Sequence, residues 1–430
     1  MLNPKYRVII HYKIIFISVV KHNIKVFSSK YSKEFITDIN QIFIRFSFKK
    51  EHFFLCKIIV KIFILILEES IIIKSIGGSQ RTMVKIAING FGRIGRLAFR
   101  RMWGDKDFEI VAINDLSSTA NLAYLLKYDS AHGVFPHEVS SDEENIIVDG
   151  KKIHVYKIKD PKKEGGFPWK SVGAEVILEC TGHYLTKEAS QSHIDGGAKG
   201  VVLSAPAKDD TLTYVYGVNT GKLEADVKAG VKVISGASCT TNCLAPVLKV
   251  IEDNYGVDGG YMTTVHAYTN DQTNLDLIKE KDFRRGRAAA QNIVPTSTGA
   301  AKAIDLVIPS LHGRLQGGAI RVPVLDGSLV DVTLNLKKEV VGGAAEINKL
   351  MKEASEGELK DVLGYSDDAL VSRDILGRTE GSIFNSDQTK VFKTPDGTQL
   401  VKVFSWYDNE YSYTCQYVRL AKLFGELLSK

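Results

Sequence analysis

Cysteine, proline and tryptophan are scarce in this chain, whose 430 residues include 5 Cys, 10 Pro and 3 Trp. Five cysteines are too few, and odd in number, for a disulfide framework, so a small disulfide-stabilised scaffold is excluded. Isolated thiols in so long a chain are typical of a reducing compartment, and we expect a cytoplasmic protein. The remaining composition, 44% apolar and 25% charged, is typical of a folded protein with two or more domains.

Residues 1–82 lack alanine entirely and contain only 2 of the 36 glycines, but they hold 19 Ile and 9 Phe. This segment has 14 Lys and Arg against 5 Asp and Glu, whereas residues 83–430 have 42 against 45. The overall charge of +6 is therefore the sum of a segment at +9 and a larger one at −3. Such a sum does not indicate a nucleic-acid or anionic-membrane partner, and we expect neither.

The first segment also lacks an apolar run long enough to span a membrane. Its best candidate, Phe53–Leu67, is interrupted by Lys57 and Lys61, whereas a spanning helix needs about 20 mainly apolar residues. A basic, aromatic arm for nucleic acid is an alternative, but no known motif accompanies it. Residues with codons rich in A and T (Phe, Tyr, Ile, Asn, Lys) make up 45 of the 82. We therefore predict that residues 1–82 are a translated upstream leader and that the working protein starts at Met83.

A dinucleotide-binding motif follows at once. Val84–Ile88 is typical of a buried strand, and apolar residues at helical spacing begin at Ile94. Between them lies G-x-G-x-x-G, formed by Gly90, Phe91, Gly92, Arg93, Ile94 and Gly95. The first glycine permits the tight turn, the second lets the backbone approach a pyrophosphate, and the third lets helix pack on strand.

Asp115 ends the next predicted strand, 20 residues after Gly95. An acid at this spacing accepts hydrogen bonds from the adenosine ribose and repels a 2′-phosphate, so NAD is favoured over NADP. Further apolar strands, Val176–Cys180 and Val201–Ser204, alternate with helical segments and predict a parallel sheet. Thr181 and Ser204 follow these strands, where cofactor contacts are expected.

A cysteine follows the strand that ends at Ser235. If a helix begins there, Ser238 caps it and Cys239 lies in its first turn, where the helix field favours a thiolate. Pro246 complicates such a helix. Cys243 lies four residues on, but no further Cys or His has the spacing of a zinc site, so no metal is predicted. His266, on an alternating strand, is a candidate base.

Four segments together resemble phosphorylating glyceraldehyde-3-phosphate dehydrogenases: INGFGRIGR, SCTTNCLAP, VHAYTNDQ and SWYDNEYSY. The resemblance runs from Met83 to the C-terminus and covers none of residues 1–82. It implies a Rossmann-type parallel cofactor domain, 83–238 with 407–430, and an α+β catalytic domain, 239–406, whose sheet is mainly antiparallel. The alternation in Leu329–Leu336 is typical of such a sheet, which Ala319–Val324 and Leu400–Trp406 are expected to join.

The resemblance also implies the chemistry: Cys239 is the nucleophile, His266 its base, and glyceraldehyde 3-phosphate, inorganic phosphate and NAD the ligands. It assigns the nicotinamide to Asn409 and Tyr413, and the substrate's C3 phosphate to Thr269 and Arg321. The residues it assigns to inorganic phosphate are Ser238, Thr240, Thr298 and Gly299, with Arg285 as a further candidate.

The family is usually a homotetramer. An erythrose-4-phosphate dehydrogenase is the nearest alternative, because it shares the nucleophile, the base and the fold. A thiol redox or RNA-binding role on the same fold is a more distant one.

Overall fold

The computed structural model describes residues 83–430. The predicted leader, residues 1–82, lies outside the described residues, and the prediction about it stays a prediction.

Strands and helices alternate in the first half of the described chain, as the sequence predicts. In chain order the strands are β1 (Val84–Asn89), β2 (Phe108–Asn114), β3 (Val139–Ser141), β4 (Asn145–Val148), β5 (Lys151–Tyr156), β6 (Val176–Glu179), β7 (Gly200–Leu203), β8 (Val233–Ser235), β9 (Val257–Ala267), β10 (Val294–Thr296), β11 (Leu315–Val322), β12 (Ser328–Leu336), β13 (Leu363–Ser366), β14 (Ser382–Asn385), β15 (Lys390–Lys393) and β16 (Gln399–Tyr407). The α-helices are α1 (Arg93–Met102), α2 (Thr119–Lys127), α3 (Trp169–Val172), α4 (Lys187–Asp195), α5 (Leu223–Lys228), α6 (Cys239–Tyr255), α7 (Ala300–Val307), α8 (Gly343–Glu356) and α9 (Tyr411–Leu428).

The first sheet has the strand order β3-β4-β5-β2-β1-β6-β7-β8. Neighbours from β5 to β8 run parallel, and β3 and β4 extend the sheet in antiparallel fashion. The chain leaves β1 for β2 on one side and later returns to β6 on its other side. The order therefore reverses beside β1, which is where a Rossmann-type sheet opens its ligand crevice. The predicted parallel cofactor sheet is confirmed.

The second sheet has the order β10-β11-β9-β12-β16-β14-β13, with β15 paired to β16. Most of its pairs are antiparallel, as predicted. The pairs β11–β9 and β13–β14 are parallel. The predicted strand 319–324 thus joins the sheet as part of β11 beside β9, and it does not pair with β12 directly.

Helix α9 returns the chain to the first sheet. Its apolar side chains, among them Tyr417 and Phe424, share a core with Val84 and Ile86 of β1. Two glycines let this packing close, because an added Cβ would lie 2.5 Å from the Phe424 ring at Gly200 and 2.5 Å from the Val84 side chain at Gly425. Residues 408–410, between β16 and α9, thereby lie beside the cofactor sheet, where Glu410 pairs with Arg93 at the start of α1.

Candidate active site

The glycine loop is closed by backbone contacts that exclude side chains at two of its three glycines. Gly90 has φ of +90°, and a Cβ there would lie 2.7 Å from the Thr181 nitrogen. A Cβ at Gly95 would lie 2.2 Å from the Gly90 carbonyl oxygen. Strand β1, the turn and helix α1 therefore pack at a distance that only glycine permits.

Gly92 differs, because a Cβ there meets no described atom within 4 Å and its φ is −72°. It precedes α1, whose first turn has neither a side-chain cap nor an acidic residue. Helices α2, α4 and α6 are capped by Ser118, Thr186 and Ser238, whereas α3, α5, α7, α8 and α9, like α1, have no side-chain cap. The N–H groups at the start of α1 are thus left for an anion, and the open face at Gly92 fits the pyrophosphate of NAD.

Asp115 is anchored to this loop rather than free in solvent. One carboxylate oxygen accepts a hydrogen bond from the Phe91 N–H at 2.8 Å, and the other accepts one from the Ser117 N–H at 2.9 Å. The charge therefore has a fixed position beyond the end of β2, as recognition of a ribose requires.

Two predicted cofactor residues have side chains with other partners. The Phe91 ring is buried and packs edge-on against Phe99. The Arg93 guanidinium forms ion pairs with Asp129 and Glu410. For Arg93 the backbone remains for the cofactor, whereas the Phe91 N–H already donates to Asp115 and its carbonyl accepts from Arg96.

A buried carboxylate organises the neighbouring loop. Glu179, at the end of β6, accepts hydrogen bonds from the Thr181 N–H at 2.8 Å and from Asn89 Nδ2 at 2.5 Å. His193 Nε2 lies 3.2 Å from the same carboxylate, while its Nδ1 accepts from Trp169 at 3.0 Å. Thr181 is thus held against the glycine loop, and Ser204 lies at the end of the adjacent β7, with its N–H bonded to the Glu179 carbonyl.

Helix α6 begins at Cys239 and continues through Pro246 without a break, so the later start that Pro246 left open in the sequence does not occur. The Ser238 hydroxyl accepts from the Thr241 N–H at 3.1 Å and so caps the helix. Before it, the buried Ala237 has φ of +59°, which is a strained conformation for a residue with a Cβ. Tyr413 donates to the Ala237 carbonyl at 3.2 Å, so α9 helps to hold this turn.

The nucleophile and the base predicted from the sequence come together. Cys239 Sγ lies 3.5 Å from His266 Nε2, although 27 residues separate them. His266 Nδ1 lies 2.7 Å from the Ala267 carbonyl oxygen. A neutral ring with its proton on Nδ1 donates there and leaves Nε2 to accept the thiol's proton.

The sequence predicts that the helix field favours a thiolate at Cys239, and burial acts on the thiol in the opposite direction. Burial raises the pKa of Cys239, and the positive charge of Arg321 and hydrogen bonds from Thr240 oppose it only in part. Burial and the Arg321 charge lower the pKa of His266 to about 3. In the site as it stands, the proton rests on sulfur and the imidazole is neutral, which is the form in which a base can act.

Tyr407 is part of this site and was missed by the sequence analysis. Its fully buried hydroxyl lies 2.9 Å from Thr240 Oγ1 and 2.8 Å from Thr264 Oγ1. Its ring packs edge-on against His266 at 5.7 Å. Thr240, which was assigned to phosphate, thus holds Tyr407 in this structure. Only the burial of β16 at the sheet centre singles out this tyrosine.

Arg321 provides the cation beside the pair. Its Nη1 lies 2.9 Å from the Ala267 carbonyl oxygen and 3.0 Å from Thr269 Oγ1. Its Nε is buried and has no hydrogen-bond partner among residues 83–430. A buried N–H donor without a partner, on a guanidinium, fits an anionic ligand.

The remaining predicted phosphate residues are only partly brought together. Arg285 pairs with Asp271, which also accepts from Thr269, so a carboxylate contacts these donors. Thr298 and Gly299 precede α7, close behind β10, which pairs with the strand of Arg321. No hydrogen bond or ion pair within residues 83–430 joins Thr298 or Gly299 to Cys239.

Asn409 has a fixed orientation. Its Oδ1 accepts from the Ser328 hydroxyl at 2.7 Å, and Ser328 Oγ accepts in turn from the Ala267 N–H at 3.0 Å. The amide nitrogen of Asn409 is left as the donor. The residue assigned to the nicotinamide is thus linked to the strand that carries His266.

Comparisons with known proteins agree with this geometry. A family model described as the NAD binding domain of glyceraldehyde 3-phosphate dehydrogenase matches residues 84–187, and one described as its C-terminal domain matches residues 238–409. The chain belongs to the glyceraldehyde-3-phosphate dehydrogenase family. The predicted family and its NAD-binding domain are confirmed.

Bacterial relatives match across almost their whole length. The glyceraldehyde-3-phosphate dehydrogenase of Clostridium pasteurianum is 50% identical over 346 residues, which are 80% of this chain and 99% of the relative. Glyceraldehyde-3-phosphate dehydrogenase 1 of Bacillus cereus is 50% identical over 339 residues, which are 79% of this chain and 98% of the relative. The enzyme of Lactobacillus delbrueckii subsp. bulgaricus is 51% identical over 350 residues.

Two glycine variants test separately whether the glycine loop allows close packing and whether it binds the pyrophosphate. We expect Gly95→Ala to lower the free energy of unfolding by about 1–3 kcal/mol, because its Cβ overlaps the Gly90 carbonyl. Gly92→Ala should change stability by less than about 0.5 kcal/mol but weaken NAD binding about tenfold, because its methyl enters the space for the pyrophosphate. Thermal unfolding and calorimetric titration with NAD separate the two. Unchanged NAD affinity in Gly92→Ala would contradict the assignment.

We expect His266→Asn to slow alkylation of Cys239 by iodoacetamide at pH 7 about tenfold or more, because burial then keeps the thiol protonated. Since the pKa of the thiol is raised in the wild type too, both rates should climb above pH 9, where the thiolate forms without a base, and the difference between the two proteins should be confined to lower pH. Mass spectrometry should locate the label on Cys239, with the buried Cys243 as an internal control. Superimposable pH profiles would show that His266 does not act on the thiol.

Proposed function

We propose that the chain catalyses the NAD-dependent oxidation and phosphorylation of glyceraldehyde 3-phosphate to 1,3-bisphosphoglycerate. The observation that carries this proposal is Cys239 Sγ 3.5 Å from His266 Nε2, with Arg321 Nη1 3.0 Å from the other ring nitrogen. A nucleophile, a base and a cation in one site are what thioester formation on a phosphorylated aldehyde requires. The relatives are named for this activity.

The proton moves between Cys239 and His266 throughout the reaction. As Cys239 Sγ bonds to the aldehyde carbon, His266 takes the thiol proton and passes it to the aldehyde oxygen, giving a hemithioacetal. His266 takes this proton back as the carbon is oxidised to a thioester. Inorganic phosphate then attacks the thioester carbonyl, and Cys239 leaves as a thiolate that His266 protonates.

NAD supplies the hydride acceptor for the oxidation when it is bound. The uncapped start of α1, with the N–H groups of Arg93 and Ile94, would hold its pyrophosphate, and Asp115 the adenosine ribose. Thr181 and Ser204 would line the crevice between them. Asn409 would donate to the carboxamide, and Tyr413, whose hydroxyl braces Ala237, would keep the nicotinamide beside Cys239.

Thr269 and Arg321 would bind the C3 phosphate of the substrate. Two observations support this assignment. Arg321 Nε has no hydrogen-bond partner among residues 83–430, and Arg321 Nη1 lies 3.0 Å from Thr269 Oγ1. Ser238, Thr240, Thr298 and Gly299 would bind the inorganic phosphate, with Arg285 as an additional cation. Because Asp271 contacts both Arg285 and Thr269, an entering phosphate would replace a carboxylate that these donors already hold.

A homotetramer is supported by an apolar surface on the segment 275–293. Five of its side chains are between 65% and 81% exposed: Leu275, Leu277, Ile278, Phe283 and Ile293. Apolar side chains clustered on one loop are typical of a surface covered by another subunit.

We also propose the domain division 83–238 with 407–430, and 239–406. Two separate sheets, each with its own apolar core, support it. The four cysteines of the described residues carry free thiols, which supports a reducing, cytoplasmic location. Within residues 83–430, none of the helices has both the length and the apolar character needed to cross a bilayer.

The proposed activity is tested by steady-state NAD reduction with glyceraldehyde 3-phosphate, in the presence and absence of phosphate. We expect strict dependence on phosphate, and a loss of about 10⁴-fold or more in Cys239→Ser without loss of NAD binding. Faster turnover of erythrose 4-phosphate, or steady turnover without phosphate, would point instead to an aldehyde dehydrogenase that releases an acid.

Asp115 is expected to set the choice of cofactor. Asp115→Ala should narrow the preference for NAD over NADP, roughly tenfold, because the 2′-phosphate no longer meets a carboxylate. Asp115→Asn removes the charge but keeps an oxygen that can accept from the Phe91 N–H. It therefore distinguishes loss of charge repulsion from loss of the hydrogen bond that orders the loop. The ratio of kcat/KM for the two cofactors is the measurement. An unchanged ratio in both variants would exclude Asp115 from this selectivity.

The apolar surface predicts how the assembly can be broken. Ile278→Asp and Phe283→Asp should shift the protein from a tetramer to smaller species in sedimentation, because a carboxylate would be buried at the contact. Val341→Asp, at a position 88% exposed on a different segment, serves as the control and should remain tetrameric. A monomeric wild type, or tetramers for all three variants, would contradict the assignment.

A further inference from the structure

A buried charged cluster joins the glycine loop to the loop that carries Asn409. His132 lies after α2, Asp326 between β11 and β12, and Asp408 between β16 and α9. His132 Nε2 lies 3.0 Å from Asp408 Oδ2 and 3.3 Å from Asp326 Oδ2. Both carboxylates are fully buried, and the ring is 7% exposed. Three segments distant in sequence therefore meet at one imidazole nitrogen.

The other ring nitrogen also faces charged groups. His132 Nδ1 lies 3.5 Å from Asp129 Oδ1 and 3.9 Å from Glu410 Oε2. Arg93 Nη2 lies 3.4 Å from the same nitrogen, and its guanidinium bridges Asp129 and Glu410. The Tyr411 ring completes the surroundings at 5.7 Å. The cluster thus reaches the first residue of α1 in the glycine loop.

Its protonation states follow from these contacts. Burial opposes a charged His132, but hydrogen bonds to Asp129 and Asp408 outweigh it and raise its pKa to about 10. Burial and the charges of Asp408 and Glu410 raise the pKa of Asp326 to about 9. Burial alone would raise the pKa of Asp408 too, but His132 holds it below its ordinary value. At neutral pH an imidazolium therefore lies between a carboxylate and a carboxylic acid.

A metal ion at these three groups is disfavoured by the same distances. His132, Asp326 and Asp408 do offer ligand atoms within 4.8 Å of one another. The imidazole nitrogen, however, lies within hydrogen-bond distance of Asp408 Oδ2, so its proton occupies the position that a cation would need. Asp326 Oδ2 lies in charge contact with the same nitrogen and has no hydrogen-bond partner among residues 83–430.

The two carboxyl groups hold the backbone on both sides of Asn409. Asp326 Oδ1 accepts from the Asn409 N–H at 3.2 Å and from the Gly327 N–H at 2.7 Å. Asp408 Oδ1 accepts from the N–H groups of Glu410 and Tyr411, at 3.0 and 2.6 Å, and its Oδ2 accepts from the Gly377 N–H at 2.8 Å. The position of Asn409 thus depends on keeping two acidic groups close together.

We propose that His132 is a positioning residue for the nicotinamide: by bridging Asp326 and Asp408 it fixes the loop that presents Asn409 and ties it to the glycine loop through Arg93. This inference rests on the proposed role of Asn409 in binding the carboxamide. Without the imidazolium, the two acidic groups lose the charge between them, and the Asn409 backbone loses a fixed acceptor.

The test compares NAD with ADP-ribose, which lacks the nicotinamide ring. We expect His132→Gln to raise the Kd of NAD about tenfold and that of ADP-ribose by less than about twofold, measured by calorimetry. His137→Gln is the matched control, because His137 lies in the same segment in an exposed pair with Asp149. Equal weakening of both ligands, or of neither, would overturn the proposal, since a purely structural role does not distinguish them.

Asn409→Ala separates this inference from the proposed function. This variant should lower the affinity for NAD but not that for ADP-ribose. The double variant with His132→Gln should bind NAD no more weakly than the weaker-binding single variant. If Asn409→Ala leaves NAD affinity unchanged, the assignment of Asn409 fails and the role of His132 fails with it. If only His132→Gln is without effect, the proposed function stands and the inference is wrong.

A pH titration of the wild type needs no variant to fold. Raising the pH toward 10 ionises Asp326 and removes the proton of His132, so the affinity for NAD relative to ADP-ribose should fall. Asp326→Asn cannot ionise and keeps an oxygen for the Asn409 N–H, so its ratio should fall less, and only as His132 titrates. A flat ratio in the wild type, or an equal fall in Asp326→Asn, would overturn the proposal.

Discussion

The contact between Cys239 Sγ and His266 Nε2 spans the two sheets of the described chain. Cys239 is placed by β8 of the first sheet, through the turn at Ala237, and His266 is placed by β9 of the second. A distance of 3.5 Å between them exists only while the sheets keep their relative position. Much of the surrounding structure can be understood as maintaining it, because a displacement of 1 Å would separate the thiol from its base.

Three links hold the sheets together at this point. Helix α9 packs on β1, and its Tyr413 hydroxyl supports the strained Ala237. Ser328 connects Asn409 to the N–H beside His266. The His132 cluster joins the loop after α2 to the start of α9. Each link includes a hydrogen bond to a backbone group next to a candidate site residue. Each therefore fixes the position of that residue, in addition to burying apolar surface.

Burial has opposite uses in the two charged parts of the molecule. Around Cys239 and His266 it favours neutral groups, and in the proposed reaction Arg321 is the cation that supports negative charge as it develops. Around His132 several carboxylates converge on one ring, so ion pairing outweighs the cost of burial and the charge is permanent. Cys239 and His266 can therefore exchange a proton, whereas His132 keeps its proton and the ion pairs around it keep their geometry.

The sequence by itself determined the family and the cofactor sheet, and it predicted the site residues. The glycine spacing, the apolar strands and Asp115 predicted the parallel cofactor sheet, because local periodicity and turn geometry depend on neighbouring residues. It also offered a helix with Cys239 in its first turn, but Pro246 left a kink or a later start open. Only the tertiary structure decided the protonation of Cys239, the partners of Arg93 and the roles of Tyr407 and His132. These depend on burial and on charged residues that lie up to 317 residues away in the sequence, as Glu410 does from Arg93. No local sequence pattern predicts which of these residues come into contact.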